Sequence, residues 1–315
     1  MLYPFKKLYK PELFQGHRRL GRPSRYFEGW YFKVVFPDSC FAVIPGLSLA
    51  PGDAHCFIQV LGGDSSSSSY HRFGSEEFCY DRKRFEIILG NNRFSLSGFQ
   101  VDLGNFSADL RIEDVVRWPS SLLSPSSMGW YSFMQFMECY HGVIVLDAAI
   151  HGTVNGRSCS QGRLYLEKDW GISFPAAWIW MQSNSFSERA SLTCSVARVP
   201  FRGKEFTGFI IGLYARGQLH SFTSYNGSKI SAIEYGQDSV GITARRDRTV
   251  VRLQARREAG AQLASPIQGE MTGRIEETLR SEISVELRQD GRRVFSDQGS
   301  QAGLEVVNPD GLLVV

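Results

Sequence analysis

The chain has 315 residues, of which 43% are hydrophobic, 13% aromatic and 21% charged. That composition excludes an intrinsically disordered chain and leaves room for one large or two medium domains. A net charge of +3 argues against a dedicated nucleic-acid binder. With no run of about 18 apolar residues, no helix is expected to span a bilayer.

The first 19 residues, MLYPFKKLYKPELFQGHRR, carry no apolar stretch of the kind a secretory signal needs, and too little serine for a transit peptide. Seven basic residues (Lys6, Lys7, Lys10, Arg18, Arg19, Arg22, Arg25) precede the first strand. Alternation then predicts strands over 26–36, 55–61, 93–101, 106–113, 142–154, 163–170, 192–199, 206–214, 218–225, 240–245, 249–256 and 282–288. Gly90-Asn91-Asn92, Gly104-Asn105, Asn155-Gly156, Asn226-Gly227 and Asp290-Gly291 read as hairpin turns between them. Residues 62–69 and 119–127 (PSSLLSPSS) read as surface loops, and 173–177 as a short helical or irregular excursion. A second basic cluster comprises Arg245, Arg246, Arg248, Arg252, Arg256 and Arg257. Both clusters read either as solvated faces or as contacts to an anionic membrane surface, at ~1 kcal/mol per residue.

Thirty-one glycines, 22 phenylalanines and this chain of hairpins indicate an all-β fold with little helix. So many antiparallel strands hide their edges most simply by closing into barrels. About eight strands suffice for one barrel with a ligand-sized interior, so more than a dozen predict two consecutive antiparallel barrels. The expected division is at Gly156, giving barrels 1–156 and 157–315. The six cysteines (Cys40, Cys56, Cys79, Cys139, Cys159, Cys194) lack CxxC spacing and read as small apolar residues in a reducing cytoplasm. No metal-ligand spacing, P-loop or GxGxxG is present, so neither metal nor cofactor is expected.

Four segments mix aromatics with acids, histidine and amides. YFEGWYFKV holds Glu28, Trp30 and Tyr31. HCFIQV holds His55 and Gln59. MGWYSFMQFMECYHG holds Trp130, Tyr131, Glu138 and His141. GRLYLEKDWGISFPAAWIWMQSN holds Tyr165, Glu167, Asp169, Trp170, Trp178, Trp180 and Gln182. A carboxylate in such a strand is costly to bury unless paired. Each acid could therefore be structural, with Glu28 paired to an arginine. Together the blocks read as an apolar cavity wall bearing a few polar groups and buried acids, the usual make-up of a small-molecule site. Of the six tryptophans only Trp118 falls outside them, so the aromatic excess reads as pocket lining.

These blocks, with Ile44-Pro45-Gly46 and the terminal GLEVV (303–307), resemble the tocopherol cyclase family over most of the chain. The resemblance implies a compact, bacterial-type member that closes a prenylated hydroquinone into a chromanol. More distantly, Glu28-Gly29-Trp30-Tyr31 and Gly162 to Glu167 resemble motifs of carotenoid 1,2-hydratases and related two-barrel, lipocalin-like proteins. The proposed catalytic aspartate of those proteins falls on Glu167, and the second motif would open the second barrel.

The chemistry so implied starts with protonation of a trisubstituted alkene to a tertiary carbocation. A phenol oxygen captures the cation in a cyclase; water captures it in a hydratase. A buried acid, π faces for the cation and exclusion of water are the requirements. Glu167 is expected as general acid, with Asp169 as the competing candidate. Trp170, Trp178 and Trp180 would line the cation region, with Gln182 on the same strand face as the last two. His141, Glu138, Gln59 and Tyr165 would orient the quinol. Glu28, Trp30, Tyr31, His55, Trp130 and Tyr131 would complete the binding surface, or Glu28 and its neighbours would act structurally. A non-catalytic isoprenoid or quinone carrier, an isoprenoid alkene hydratase and a cyclase acting on a non-quinone polyene are the other readings. The expected partner is a hydrophobic small molecule; the expected location is cytoplasmic, peripheral to a membrane surface.

Overall fold

In this computed structural model the described residues are 7–21, 24–63, 67–134, 137–201 and 204–313. Lys6, Arg22, Asp64, Ser65, Ser66 and the Gln135-Phe136 centre of the third block lie outside them. Eleven strands form the first sheet: β1 (Phe27–Phe36), β2 (Ser39–Ser48), β3 (His55–Gly62), β4 (Ser68–Gly74), β5 (Phe78–Tyr80), β6 (Glu86–Leu89), β7 (Asn92–Ser95), β8 (Gly98–Asp102), β9 (Ser107–Arg117), β10 (Cys139–Val154) and β11 (Arg157–Gly171). Their order is β4-β3-β2-β1-β11-β10-β9-β8-β7-β6-β5, and every neighbouring pair whose register is given below is antiparallel.

The sheet curls so that alternate residues of nearly all its strands meet in one core. Trp30, Phe32, Val34 and Phe36 of β1 face Phe94, Phe99, Leu110, Ile150, Leu164 and Leu166 there. Phe32 lies 5.5 Å from Phe94 and 5.4 Å from Phe99 between ring centres. Much of the phenylalanine excess is therefore barrel filling, which corrects its reading as pocket lining.

The predicted strand over 93–101 is two strands. Ser95 to Gly98 make a tight reversal, and the Ser95 hydroxyl donates to Gly98 O at 3.0 Å. Gly98 has φ +149°, and a Cβ there would sit 2.2 Å from Leu110 O, so the neighbouring backbone excludes any side chain.

Asn155-Gly156 is a hairpin turn inside the first sheet, with φ +49° and +75°. It joins β10 to β11, and β11 then pairs along β1 from Val35↔Arg163 to Phe27↔Gly171. The chain divides instead at Phe174/Pro175. The segment from Gly162 to Glu167 thus lies in the last strand of the first unit and does not open the second. Leu263–Arg274 also belongs to the first unit. It is the end of a hairpin between β19 (Ala261–Ile267) and β20 (Glu270–Gln289), turning at Gln268 and Gly269 (φ +51° and +87°). A Cβ on Gly269 would lie 2.6 Å from Tyr26 N, so glycine lets the tip rest on the backbone entering β1.

The second unit holds β12 (Trp178–Ser183), β13 (Ala190–Phe201), β14 (Lys204–Ala215), β15 (Gln218–Thr223), β16 (Lys229–Tyr235), β17 (Ser239–Arg246), β18 (Thr249–Arg256), the rest of β20 and β21 (Arg292–Val307). Their order is β15-β14-β13-β12-β21-β20-β18-β17-β16. Ile179, Met181, Leu192, Ile211, Val251, Val285 and Leu304 build its separate core. The fold is all-β, as the alternation predicts.

Candidate functional site

Strand parity sorts the candidate residues of the first unit onto two faces. In β1, Trp30, Phe32 and Val34 point into the barrel, so Tyr31 and Lys33 point away from it. In β11, Leu164 and Leu166 point inward, so Tyr165, Glu167 and Asp169 point outward. In β3, Cys56, Ile58 and Val60 are core, so His55, Phe57 and Gln59 are outward. Register places Tyr31 opposite Glu167, Lys33 opposite Tyr165 and His141 opposite Asp169. One continuous outer surface, running over β3, β2, β1, β11 and β10, therefore carries His55, Gln59, Tyr31, Tyr165, Glu167, Asp169 and His141. Outer faces of barrels usually meet water, yet Tyr31, Lys33, Tyr165 and Glu167 are all buried.

Glu167 is the centre of a polar cluster on this surface. The Tyr165 hydroxyl donates to Glu167 Oε2 at 2.5 Å. His141 Nε2 lies 3.5 Å from the same oxygen. His141 Nδ1 lies 3.0 Å from Asp169 Oδ1, and the acceptor-only carboxylate makes Nδ1 the donor. Asp169, 24% exposed, sits at the more open end. The strand carrying His141 is itself held: Val143 N–H donates to Ser127 Oγ at 2.9 Å, and the Ser127 hydroxyl donates to His141 O at 3.3 Å.

Among the described residues, His141, Glu167 and Asp169 are the group able to converge on a metal ion, their ligand atoms lying within 4.8 Å of one another. The imidazole, however, turns one nitrogen to each carboxylate. It stands as a bridge between two acids, an arrangement suited to moving a proton along them.

Glu28, Trp30 and Trp170 lie on the opposite face, inside the barrel mouth. Glu28 is fully buried and paired with Lys168 Nζ at 2.5 Å, also fully buried. Its oxygens also accept the Tyr26 hydroxyl at 2.5 Å, Gln15 N–H at 2.8 Å and Gly16 N–H at 3.0 Å. Lys168 donates to Pro11 O and Leu13 O, both at 2.7 Å, and lies 4.8 Å from the Trp30 and Trp170 ring centres. Burial pulls the Lys168 ammonium pKa down, against the upward pull of Glu28. Trp30 Nε1–H donates to Glu12 O at 2.9 Å, and Trp170 stacks on Tyr140 at 5.4 Å. This network straps residues 11–16 across the barrel mouth. The expected arginine partner of Glu28 is Lys168, a residue the sequence reading passed over although alternation sets it two positions from Trp170.

The remaining candidates separate further. His55 Nδ1–H donates to Asp53 O at 2.8 Å and Nε2 lies 2.6 Å from the Tyr70 hydroxyl; burial lowers its pKa, opposed by the Asp53 carbonyl. Gln59 clamps the β19 backbone, donating to Ala264 O at 3.1 Å and accepting from Ala264 N–H at 2.9 Å. Trp130 and Tyr131 stack at 4.2 Å in the 3-10 turn Gly129–Phe133, with Trp130 exposed. Glu138 is exposed just before β10. In the second unit, Trp178, Trp180 and Gln182 share the face of β12 turned away from that unit's core, and all three are buried. Trp178 Nε1–H donates to Glu305 Oε2 at 2.5 Å. In the second basic cluster, Arg248 pairs with Asp290, Arg252 with Glu286 and Arg256 with Glu258, as on a solvated face.

The sequence model of the tocopherol cyclase-like family matches residues 97–308. The chloroplastic tocopherol cyclase of Zea mays is 24% identical over 279 residues, covering 68% of this chain and 58% of that protein. A second chloroplastic relative, from Oryza sativa subsp. japonica, is 24% identical over 283 residues and is covered to 59%. The chain thus spans about three-fifths of the length of these relatives. Among solved structures, CghA with Sch210972 superposes with a TM-score of 0.56 at 10% identity, over 90% of this chain and 88% of that one. A Nitrosomonas europaea protein described as an AttH superposes with a TM-score of 0.50 at 12% identity, over 91% and 93%. These two likenesses support the fold alone, which is of the lipocalin-like type. The family match covers more than half the sequence and includes His141, Tyr165, Glu167 and Asp169, and on it the chain belongs to the tocopherol cyclase-like family.

Proposed function

We propose that the chain is a cyclase that closes a prenylated hydroquinone into a chromanol, with Glu167 as the proton donor. The observation that carries this reading is the buried Glu167 carboxyl, held at one oxygen by Tyr165 and placed beside a histidine that is itself held by Asp169. In the reaction, Glu167 gives a proton to the alkene carbon nearer the ring, and the other alkene carbon becomes a tertiary cation. The Tyr31 ring, directly across the strand pair from Glu167, offers a π face for that charge. The phenol oxygen attacks the cation, forming the C–O bond and releasing its proton. His141, held by Asp169, accepts that proton and returns it to Glu167. Substrate and product are isomers, so the cycle balances with no oxidant, reductant or added water.

Incubation of the purified protein with a prenylated hydroquinone, followed by mass spectrometry and chromatography, tests the reading. The expected product has the mass of the substrate and the retention of a chromanol. A product heavier by one water would make the protein an alkene hydratase. Tight binding without turnover would make it a carrier.

A further inference from the structure

Few large apolar side chains stand exposed among the described residues, and four of them fall within one short stretch of the first unit. They are Leu122 (78% exposed), Leu123 (83%), Trp130 (43%) and Phe133 (46%). The two leucines fill the central positions of a turn that its own backbone closes: Ser121 N–H donates to Ser124 O at 2.8 Å and Ser124 N–H to Ser121 O at 3.1 Å. Such positions usually hold glycine, asparagine, aspartate or proline. Leucines there hold most of their surface in solvent. The Ser120 hydroxyl donates to Pro125 O at 2.7 Å. Ser126 and Ser132 share a hydroxyl–hydroxyl bond at 2.8 Å, which ties the loop to the turn bearing Trp130 and Phe133.

Cations flank both ends of this stretch. The Tyr9 hydroxyl donates to Leu122 O at 3.0 Å, and the next residue, Lys10, is exposed. At the other end the Tyr140 hydroxyl donates to Met134 O at 2.5 Å. Burial pushes that hydroxyl's pKa up, opposed by a backbone hydrogen bond at Met137 and then by the exposed Arg19, whose guanidinium lies 4.9 Å from the Tyr26 ring centre. Arg18 beside it is exposed as well. Glu138 is the exposed carboxylate closest in sequence to the stretch.

We infer that Leu122, Leu123, Trp130 and Phe133 form a docking tip for a bilayer surface that carries anionic headgroups, with Lys10, Arg18 and Arg19 meeting the headgroups. Apolar side chains on a fixed loop enter the headgroup–acyl boundary, and neighbouring cations gain from the negative surface potential. The loop runs on into Ser127 and Met128, which hold the backbone of His141, so docking sets the candidate site beside the lipid. The inference stands on exposure and charge and needs no assumption about the reaction.

Sedimentation with phosphatidylcholine vesicles, with and without phosphatidylserine, tests it without any substrate. The wild-type chain is expected to bind best to vesicles containing phosphatidylserine. Leu122→Ser/Leu123→Ser should lower partitioning roughly a hundredfold, about tenfold per leucine. Lys10→Glu should weaken binding to the anionic vesicles by at least about fivefold and change binding to phosphatidylcholine far less. A second pair, Leu122→Asn/Leu123→Gly, restores ordinary turn residues and should give the same loss with an unchanged thermal melt. The inference is overturned if the wild type binds neither vesicle, if both double variants sediment as the wild type does, or if light scattering shows a dimer that they dissociate.

Discussion

Lys168→Met isolates the role of the ion pair inside the first barrel. The side chain is replaced by one of similar length, so the cavity is kept and the charge is lost. Lys168 Nζ has three oxygen partners in the structure, at 2.5, 2.7 and 2.7 Å, and two indole faces at 4.8 Å. Removing one partner of a fully buried pair costs about 3–5 kcal/mol. Glu28 retains the Tyr26 hydroxyl and two backbone N–H donors, which places the expected loss near the lower end, about 3 kcal/mol. For a unit of this size that is a fall in melting temperature of about 6–12 °C. Glu28→Gln should cost more, because it leaves an ammonium inside the barrel with only carbonyls to meet it, and the double variant should recover part of the loss. Circular dichroism gives the melts, and hydrogen exchange at Gln15 and Gly16 reports on the strap. A melt within about 2 °C of the wild type with unchanged exchange at those amides would refute the structural role of this pair.

Two further outcomes follow from the geometry. Gln59→Leu leaves the Ala264 N–H and C=O without their clamp and should cost about 2 kcal/mol, with faster amide exchange confined to Leu263–Arg274; unchanged exchange there contradicts the clamp. His55 has a lowered folded-state pKa, chiefly from burial, so between that value and 6.5 the unfolded chain binds more protons. Stability from this residue is therefore present above pH 6.5 and is lost as pH falls through the folded pKa. Denaturant melts across that window should show the slope, and His55→Gln should flatten it; an unchanged slope in the variant excludes His55 as its source.

The alternation of the chain makes most of the β-structure legible in the sequence. β18 and β20 from Glu282 to Arg288 show period-2 patterning almost end to end, and the Asn-Gly and Asp-Gly turns fall where expected. What alternation did not convey is pairing between distant strands. Asn155-Gly156 looks like a boundary because local signals stop there, but β11 turns back and zips along β1, more than a hundred residues earlier in sequence. β4 begins in a serine run and β21 is broken by glycines and polar residues, so neither shows a clean pattern. The same parity that reveals strands separates the candidate residues: Trp30 and Tyr31 are neighbours in one motif and necessarily face opposite ways. Pooling them into one cavity wall merged a structural network, Glu28–Lys168–Trp170, with the outer cluster of His141, Tyr165, Glu167 and Asp169. Those four residues were named from the sequence. Their closeness depends on the β10–β11 register, which only the fold supplies.

The most direct measurement is turnover of a prenylated hydroquinone in deuterium oxide, with mass spectrometry of the product. If Glu167 protonates the alkene, the chromanol gains one deuterium on the carbon beside the new quaternary centre, and Glu167→Gln yields no product while melting as the wild type does. A chromanol without carbon-bound deuterium, or a Glu167→Gln variant that turns over at the wild-type rate, would contradict the account.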